Sequence, residues 1–461
     1  MKINRLDVKG SAHTNPKRVH VVGIVVAVLL VVGSFFGASM LPGTAFIGLL
    51  LLGSMIFAFS FSNYLLPSVA MVVFAFFPIT YLPIDLGFPR GTVTPTVAII
   101  SVWLIRLISS RRIEDQRMAK LPAVLAILVL TLLVVLSDEP IFSAIWSATV
   151  VVLLIIPVLL ADRIEARTAL ALRKAWMGTA LILSFAALFE TFTRINPLAN
   201  FYTFDQHWSV HRVMTSLGHP LMNGLFFGMS SVFLGLWAIR ERKLAPGVVA
   251  IISAVATAST ASRSGVIGLA VGALAGLIVL LGLSQTSVMT KTFGVAFFAV
   301  IGAIIWMNPV LQERLGSDEA AGSTEYRSGL AFQQAQALYE TNQMLGVGPG
   351  VASRQIFDET GLLLENAMMG SLSSLGLLGV GMLLVVLATM AVSALRRRSI
   401  EVVAAAVTFL SIGFAFPLWE TIPAALALLM FAFIANFSNE VQPKGQRLRK
   451  NSHVFNAPFQ Y

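Results

Sequence analysis

Between Asn366 and Ala394 the chain carries no charged side chain. In lipid, so long an apolar stretch satisfies its backbone polar groups only as a helix, and about 20 such residues cross a bilayer. Thirteen more apolar runs recur, at approximately 20–38, 43–62, 65–81, 92–110, 121–137, 140–160, 170–190, 219–239, 244–260, 264–283, 291–307, 399–416 and 420–438. Together they predict an all-α polytopic membrane helix bundle of about 14 transmembrane helices. The runs 65–81 and 121–137 are short and suit tilted or re-entrant helices. The run 20–38 resembles a signal-peptide core, with basic residues before it and Gly37, Ala38 and Ser39 after it. Thirteen further spans favour an uncleaved first helix.

The remaining residues cannot cover a soluble protein of this length. Only 12% of the 461 residues are charged and 57% are hydrophobic, whereas about a quarter of a soluble domain is charged. This excludes a soluble enzyme, a disordered chain and a disulfide-stapled domain. With no cysteine, thiolate metal sites are excluded too. The net charge of +10 would suggest nucleic acid in a soluble protein. In a membrane protein it marks cytoplasmic loops, and no nucleic acid partner is expected.

The distribution of charge supports the span map. With the N-terminus in the cytoplasm, twenty-five of the 32 basic residues fall on inside segments. The other seven are all arginine: Arg90, Arg194, Arg212, Arg263, Arg314, Arg327 and Arg354. An odd number of helices would break this asymmetry, so both termini are expected inside. The chain then divides into a cytoplasmic tail (1–19), seven helices (20–190), an extracytoplasmic loop (191–218) and four helices (219–307). A large extracytoplasmic loop (308–365), three helices (366–438) and a second cytoplasmic tail (439–461) follow. The basic tail from Lys444 to Lys450 predicts contact with anionic membrane lipids.

Only the two outer loops are long enough to build a site. In the second, Leu330, Ala331, Ala335, Leu338 and Tyr339 recur near helical spacing, which predicts an amphipathic helix on the membrane or over a cavity. The run Leu345-Gly346-Val347-Gly348-Pro349-Gly350 must turn tightly; it can serve as a plain loop or offer backbone N–H groups to an anion. Arginine presents a rigid fork of donors that matches phosphate oxygens in pairs. Arg263 lies where the short turn Thr260-Ala261-Ser262-Arg263-Ser264-Gly265 enters the membrane. A charge at that depth costs a few kcal/mol unless it is paired or faces water. His207 and His211 share helical spacing, but two ligands do not make a zinc site. No Asp-x-Asp stands in either outer loop, so neither metal nor cofactor is expected.

Three motifs resemble those of the O-antigen ligase/polymerase family, membrane enzymes that take glycans from polyprenyl diphosphate carriers. The first is Arg212 followed by Gly218-His219-Pro220 and Asn223-Gly224. The second is the turn around Arg263, similar to a Ser-Arg-(Ser/Gly) turn. The third runs from Arg327 through the glycine-rich stretch to Glu365-Asn366 and, after nine intervening residues, to Gly376-Leu377-Leu378-Gly379. The resemblance covers about residues 190–380. It departs at Glu365, where the family has a histidine that handles the acceptor's proton.

The resemblance implies a metal-independent, inverting glycosyltransferase of the cytoplasmic membrane, with its site on the extracytoplasmic side. Arg212, Arg263 and Arg327 would bind the diphosphate of a polyprenyl-diphosphate-linked glycan donor. Glu365 would deprotonate the hydroxyl of a glycan, lipid or protein acceptor, with His211, His219, Ser264 and Asn366 in support. Two other classes fit many spans: a lipid-linked oligosaccharide flippase or transporter, and a non-catalytic lipid-glycan-binding assembly partner. A transporter places ionisable groups near the bilayer midplane. The predicted helix centres are nearly free of charge, which favours one-sided chemistry.

Overall fold

Every element among the described residues is helical, as expected of a chain whose backbone is dissolved in lipid. The computed structural model describes residues 43–77, 92, 94–109, 120–198, 211–283, 286–316 and 329–437. The predicted span 20–38, the tails 1–19 and 439–461 with their lysines and arginines, His207 and Arg327 lie outside these residues. The other thirteen apolar runs coincide with helices to within a few residues. Six of these are long and apolar enough to cross a membrane, and seven are shorter.

In chain order the helices are α1 (Gly43–Phe59), α2 (Leu66–Phe76), α3 (Pro95–Ser109), α4 (Lys120–Val135), α5 (Pro140–Leu159) and α6 (Ala166–Thr193). Then come α7 (Pro220–Glu241), α8 (Leu244–Ser259), α9 (Arg263–Gly282) and α10 (Val288–Trp306). Three shorter helices follow: α11 (Pro309–Leu315), α12 (Leu330–Thr341) and α13 (Val351–Thr360). The described residues end with α14 (Ala367–Arg396), α15 (Ile400–Gly413), the single turn α16 (Leu418–Thr421) and α17 (Leu426–Ala435).

Helix α7 is the hub: all residues from Pro220 to Ile239 are buried. The outer helices instead expose large apolar side chains such as Leu274, Ile278, Phe293, Val300 and Leu384. That surface suits hydrocarbon and would associate in water. Where helices meet, small residues let backbones approach, since lipid provides no hydrophobic drive for helix association. A Cβ at Gly265 would sit 3.0 Å from Gly224 Cα, so α7 and α9 cross almost in backbone contact. Gly268, Gly272 and Gly276 form a smooth stripe on α9 that receives Ile412, Thr408 and Ala404 of α15.

The glycine-rich run 345–350 repairs a break in α14. Gly376 has φ 61 and ψ −174, a left-handed conformation that interrupts the helical hydrogen-bond ladder. The freed groups are paired by the run and by the two residues before it. Val347 N donates to Ser373 O (3.0 Å) and Gly348 N to Ser374 O (2.9 Å), while Leu377 N and Leu378 N donate to Gln343 O and Met344 O (2.8 and 3.1 Å). The Val347 and Gly348 amides are therefore spent on α14. Nearby, the expected amphipathic helix is present as α12. Its buried stripe, Ala331 and Ala335, packs with Val351, Ala352 and Ile356 of α13 beside α14.

Candidate functional site

One end of the bundle gathers the start of α7, the turn between α8 and α9, the start of α14 and the segment 414–421. The segment 211–219 is pinned there by a residue the sequence had not marked. Glu190, near the end of α6, accepts from Met214 N (3.1 Å) and Thr215 N (2.9 Å). Asn223 on α7 accepts from Thr215 Oγ1 at 2.6 Å and donates to the carbonyls of Met214 and His219. With the segment fixed, half-buried Arg212 lies against the Thr260–Arg263 turn, its Nε donating to Thr260 O at a long 3.5 Å.

Ser262 makes that turn a helix start: its Oγ accepts from Gly265 N at 3.1 Å and lies 3.2 Å from Ser264 Oγ. Arg263 is thus the first residue of α9, and Ser264 is buried in the cap. A cation at a helix N-terminus runs against the macrodipole. The same two positive elements side by side favour an anion. Arg263 also borders a groove of ≈ 560 Å³ between α9, α10 and α11, where every other lining residue is apolar, among them Val266, Leu274, Phe298, Ile305 and Leu311.

The remaining predicted residues have assignable local roles. His219 caps α7 through Nδ1, which accepts from Leu221 N at 3.2 Å, and its ring stacks on Phe416 at 5.5 Å. Burial first, and then the Arg212 charge, push its pKa down to about 3. The cap thus engages one of its two ring nitrogens. His211 Nε2 lies 3.9 Å from Glu190 Oε1. Burial and then Arg194 lower its pKa. Asn366 caps α14, its Oδ1 accepting from Met369 N at 2.9 Å. Glu365 precedes that cap and is half-buried. The structure thus brings Arg212, His219 and the Arg263 turn together and sets Glu365 at the head of α14. Arg354 instead bridges α13 to Glu139 at 2.8 Å.

Two carboxylate clusters escaped the sequence reading. Glu420, in α16, is 1% exposed. Its carboxylate accepts from Ser374 Oγ and from Ser371 Oγ (3.3 Å), and Trp419 Nε1 donates to Ser371 Oγ at 2.8 Å. Trp146 Nε1 donates to the Glu420 carbonyl at 3.1 Å. Glu420 falls in the break between α15 and the last apolar helix, which starts at Pro423 and not at 420 as expected. Burial pushes its pKa up to about 7 against the two serine bonds. Its signal in the sequence was a lone acid between Trp419 and Pro423.

The second cluster joins the ends of α6, α7 and α15. Arg173 is fully buried near the start of α6. Its Nη2 lies 2.5 Å from Oε1 of fully buried Glu401 on α15. Arg240 reaches the same oxygen at 2.9 Å. Burying one charge is prohibitive, but a hydrogen-bonded pair can be tolerated. Among the described residues no group of three or more His, Asp or Glu is placed to hold a metal. Compared with known proteins, the chain matches no protein-family model and no curated protein.

Proposed function

We propose that this is a membrane glycosyltransferase that moves a glycan from a polyprenyl diphosphate to an acceptor hydroxyl, as a surface-polysaccharide ligase or polymerase of the O-antigen type. The proposal includes fourteen crossings, both termini in the cytoplasm and a site at the outer face of the cytoplasmic membrane. One observation carries it: Arg263, at the N-terminus of α9, heads a groove that is otherwise wholly apolar. A lipid diphosphate needs an anion site joined to a hydrocarbon trough, and this arrangement offers both.

In the proposed reaction the acceptor oxygen attacks the anomeric carbon as the bond to the diphosphate breaks. The diphosphate leaves with the bonding electron pair, and Glu365 takes the hydroxyl proton. Attack opposite the leaving group inverts the anomeric centre. Guanidinium forks from Arg212, Arg263 and Arg327 stabilise the charge that grows on the leaving group, an effect greater in the transition state than in the ground state. His219 is assigned a positioning role only. The loop 308–365 would cover the sugars and limit hydrolysis.

A second reading is a lipid-linked oligosaccharide flippase or transporter; the buried Arg173–Glu401 pair lies near helix ends beside Arg240, whereas a transport path would place ionisable groups near the midplane. A non-catalytic glycan-binding partner is the third. Purified protein in detergent, given labelled lipid-linked glycan and no other enzyme, separates them: transfer to acceptor supports the enzyme, and its absence with glycan still bound overturns it. Glu365→Gln should abolish transfer and Glu365→His should restore it. Unchanged turnover in Glu365→Gln across pH would remove Glu365 as the base.

A further inference from the structure

At the end of the bundle opposite Arg263, a cleft of ≈ 450 Å³ opens between the ends of α7 and α9 and the starts of α10 and α15. Its polar walls are Arg240, Arg242, Arg398, Thr286, Ser287 and Thr290, set above a floor that includes Leu280, Leu283 and Ile400. The two nearby carboxylates are engaged: Glu401 by Arg173 and Arg240, and Glu241 by Lys243 at 2.7 Å. Arg242 Nη2 approaches Thr290 Oγ1 only at 3.5 Å, so its guanidinium retains donors for a ligand. Arg242 and Arg398 are two of the five non-glycine residues with positive φ among the described residues (54 and 58). Glycine or asparagine is the ordinary choice at such positions. Here two arginines occupy them, and both line one cleft.

We infer that this cleft binds a phosphoryl group, with the fork of Arg242 facing its oxygens, the Thr290 hydroxyl beside it and Arg398 lining the same cleft. Guanidinium matches phosphate in pairs of parallel hydrogen bonds. The cleft lies at helix ends, the level of lipid headgroups, and basic pockets between membrane helices suit anionic headgroups. The source is therefore a phospholipid headgroup or a soluble phosphate. The inference uses none of the residues assigned to glycan transfer and stands or falls apart from it.

The test is native mass spectrometry of the full chain in detergent with phosphatidylglycerol or phosphatidylcholine, together with thermal unfolding in inorganic phosphate. The variants are Arg242→Gln, Arg242→Gln with Arg398→Gln, and the remote control Arg354→Gln. Arg242 is exposed at a helix end, so its single replacement leaves the fold intact. Phosphatidylglycerol should be retained over phosphatidylcholine, and Arg242→Gln should weaken that retention about tenfold, with Arg354→Gln unchanged. Stabilisation by inorganic phosphate that Arg242→Gln abolishes, without lipid selectivity, assigns the site to a soluble phosphate. Equal retention of the two lipids with no phosphate effect overturns the inference. So does phosphatidylglycerol or phosphate binding that Arg242→Gln leaves unchanged.

Discussion

Replacing Glu420 with glutamine isolates the cost of one sealed carboxylate. The side chain has two serine hydroxyls as donors and, among the described residues, no cation in salt-bridge range. Burial moves its pKa from 4.5 to about 7. Below pH 4.5 the carboxyl is protonated in folded and unfolded chains alike, and its favourable contribution is fully present. As pH rises towards 7 the unfolded chain releases the proton while the folded chain retains it, so folding is progressively penalised. Above the folded pKa the loss is complete, at about 3 kcal/mol at 1.36 kcal/mol per pH unit. Glutamine cannot ionise and still accepts a serine hydrogen bond. Unfolding of wild type and Glu420→Gln in detergent should therefore diverge between pH 4.5 and 7, with the wild type losing stability relative to the variant. A constant offset between the two is compatible with this account. Parallel pH profiles would refute it, because they would mean the carboxyl titrates alike in both states.

Further outcomes follow from the same structure. Arg173→Met leaves Glu401 buried without its main partner and should cost about 3–5 kcal/mol, whereas Arg173→Met with Glu401→Met should recover much of that in the same unfolding assay. Gly272→Val drives a Cβ into Thr408 Oγ1 and to 2.8 Å from Ala404 O, and should destabilise the α9–α15 crossing by about 1–3 kcal/mol. Arg263→Lys keeps the charge but loses the fork, and should slow glycan transfer about 100-fold, while Arg354→Lys leaves it unchanged. Transfer by Arg263→Lys at the wild-type rate would rule out paired phosphate contacts.

The helices were legible in the sequence because lipid leaves an apolar backbone no other means of satisfying its hydrogen bonds. Thirteen runs therefore reappear as helices, and local signals such as Ser262 and Asn366 mark helix starts by capping chemistry alone. The closeness of Arg212 to the Arg263 turn was an expectation drawn from motif order, and only the pinning of 211–219 by Glu190 and Asn223 brings it about. Charge pairing across the bundle was not legible. Arg173 and Glu401 are 228 positions apart, and Glu420 meets its serines across 46 and 49. A membrane helix is apolar on its lipid face and on its protein face, so its sequence does not say which side turns inward. Composition and local chemistry determine that the chain forms apolar helices and where they start. Which carboxylates are sealed, which arginines face a groove and which glycines mend a broken helix are decided only when the helices pack.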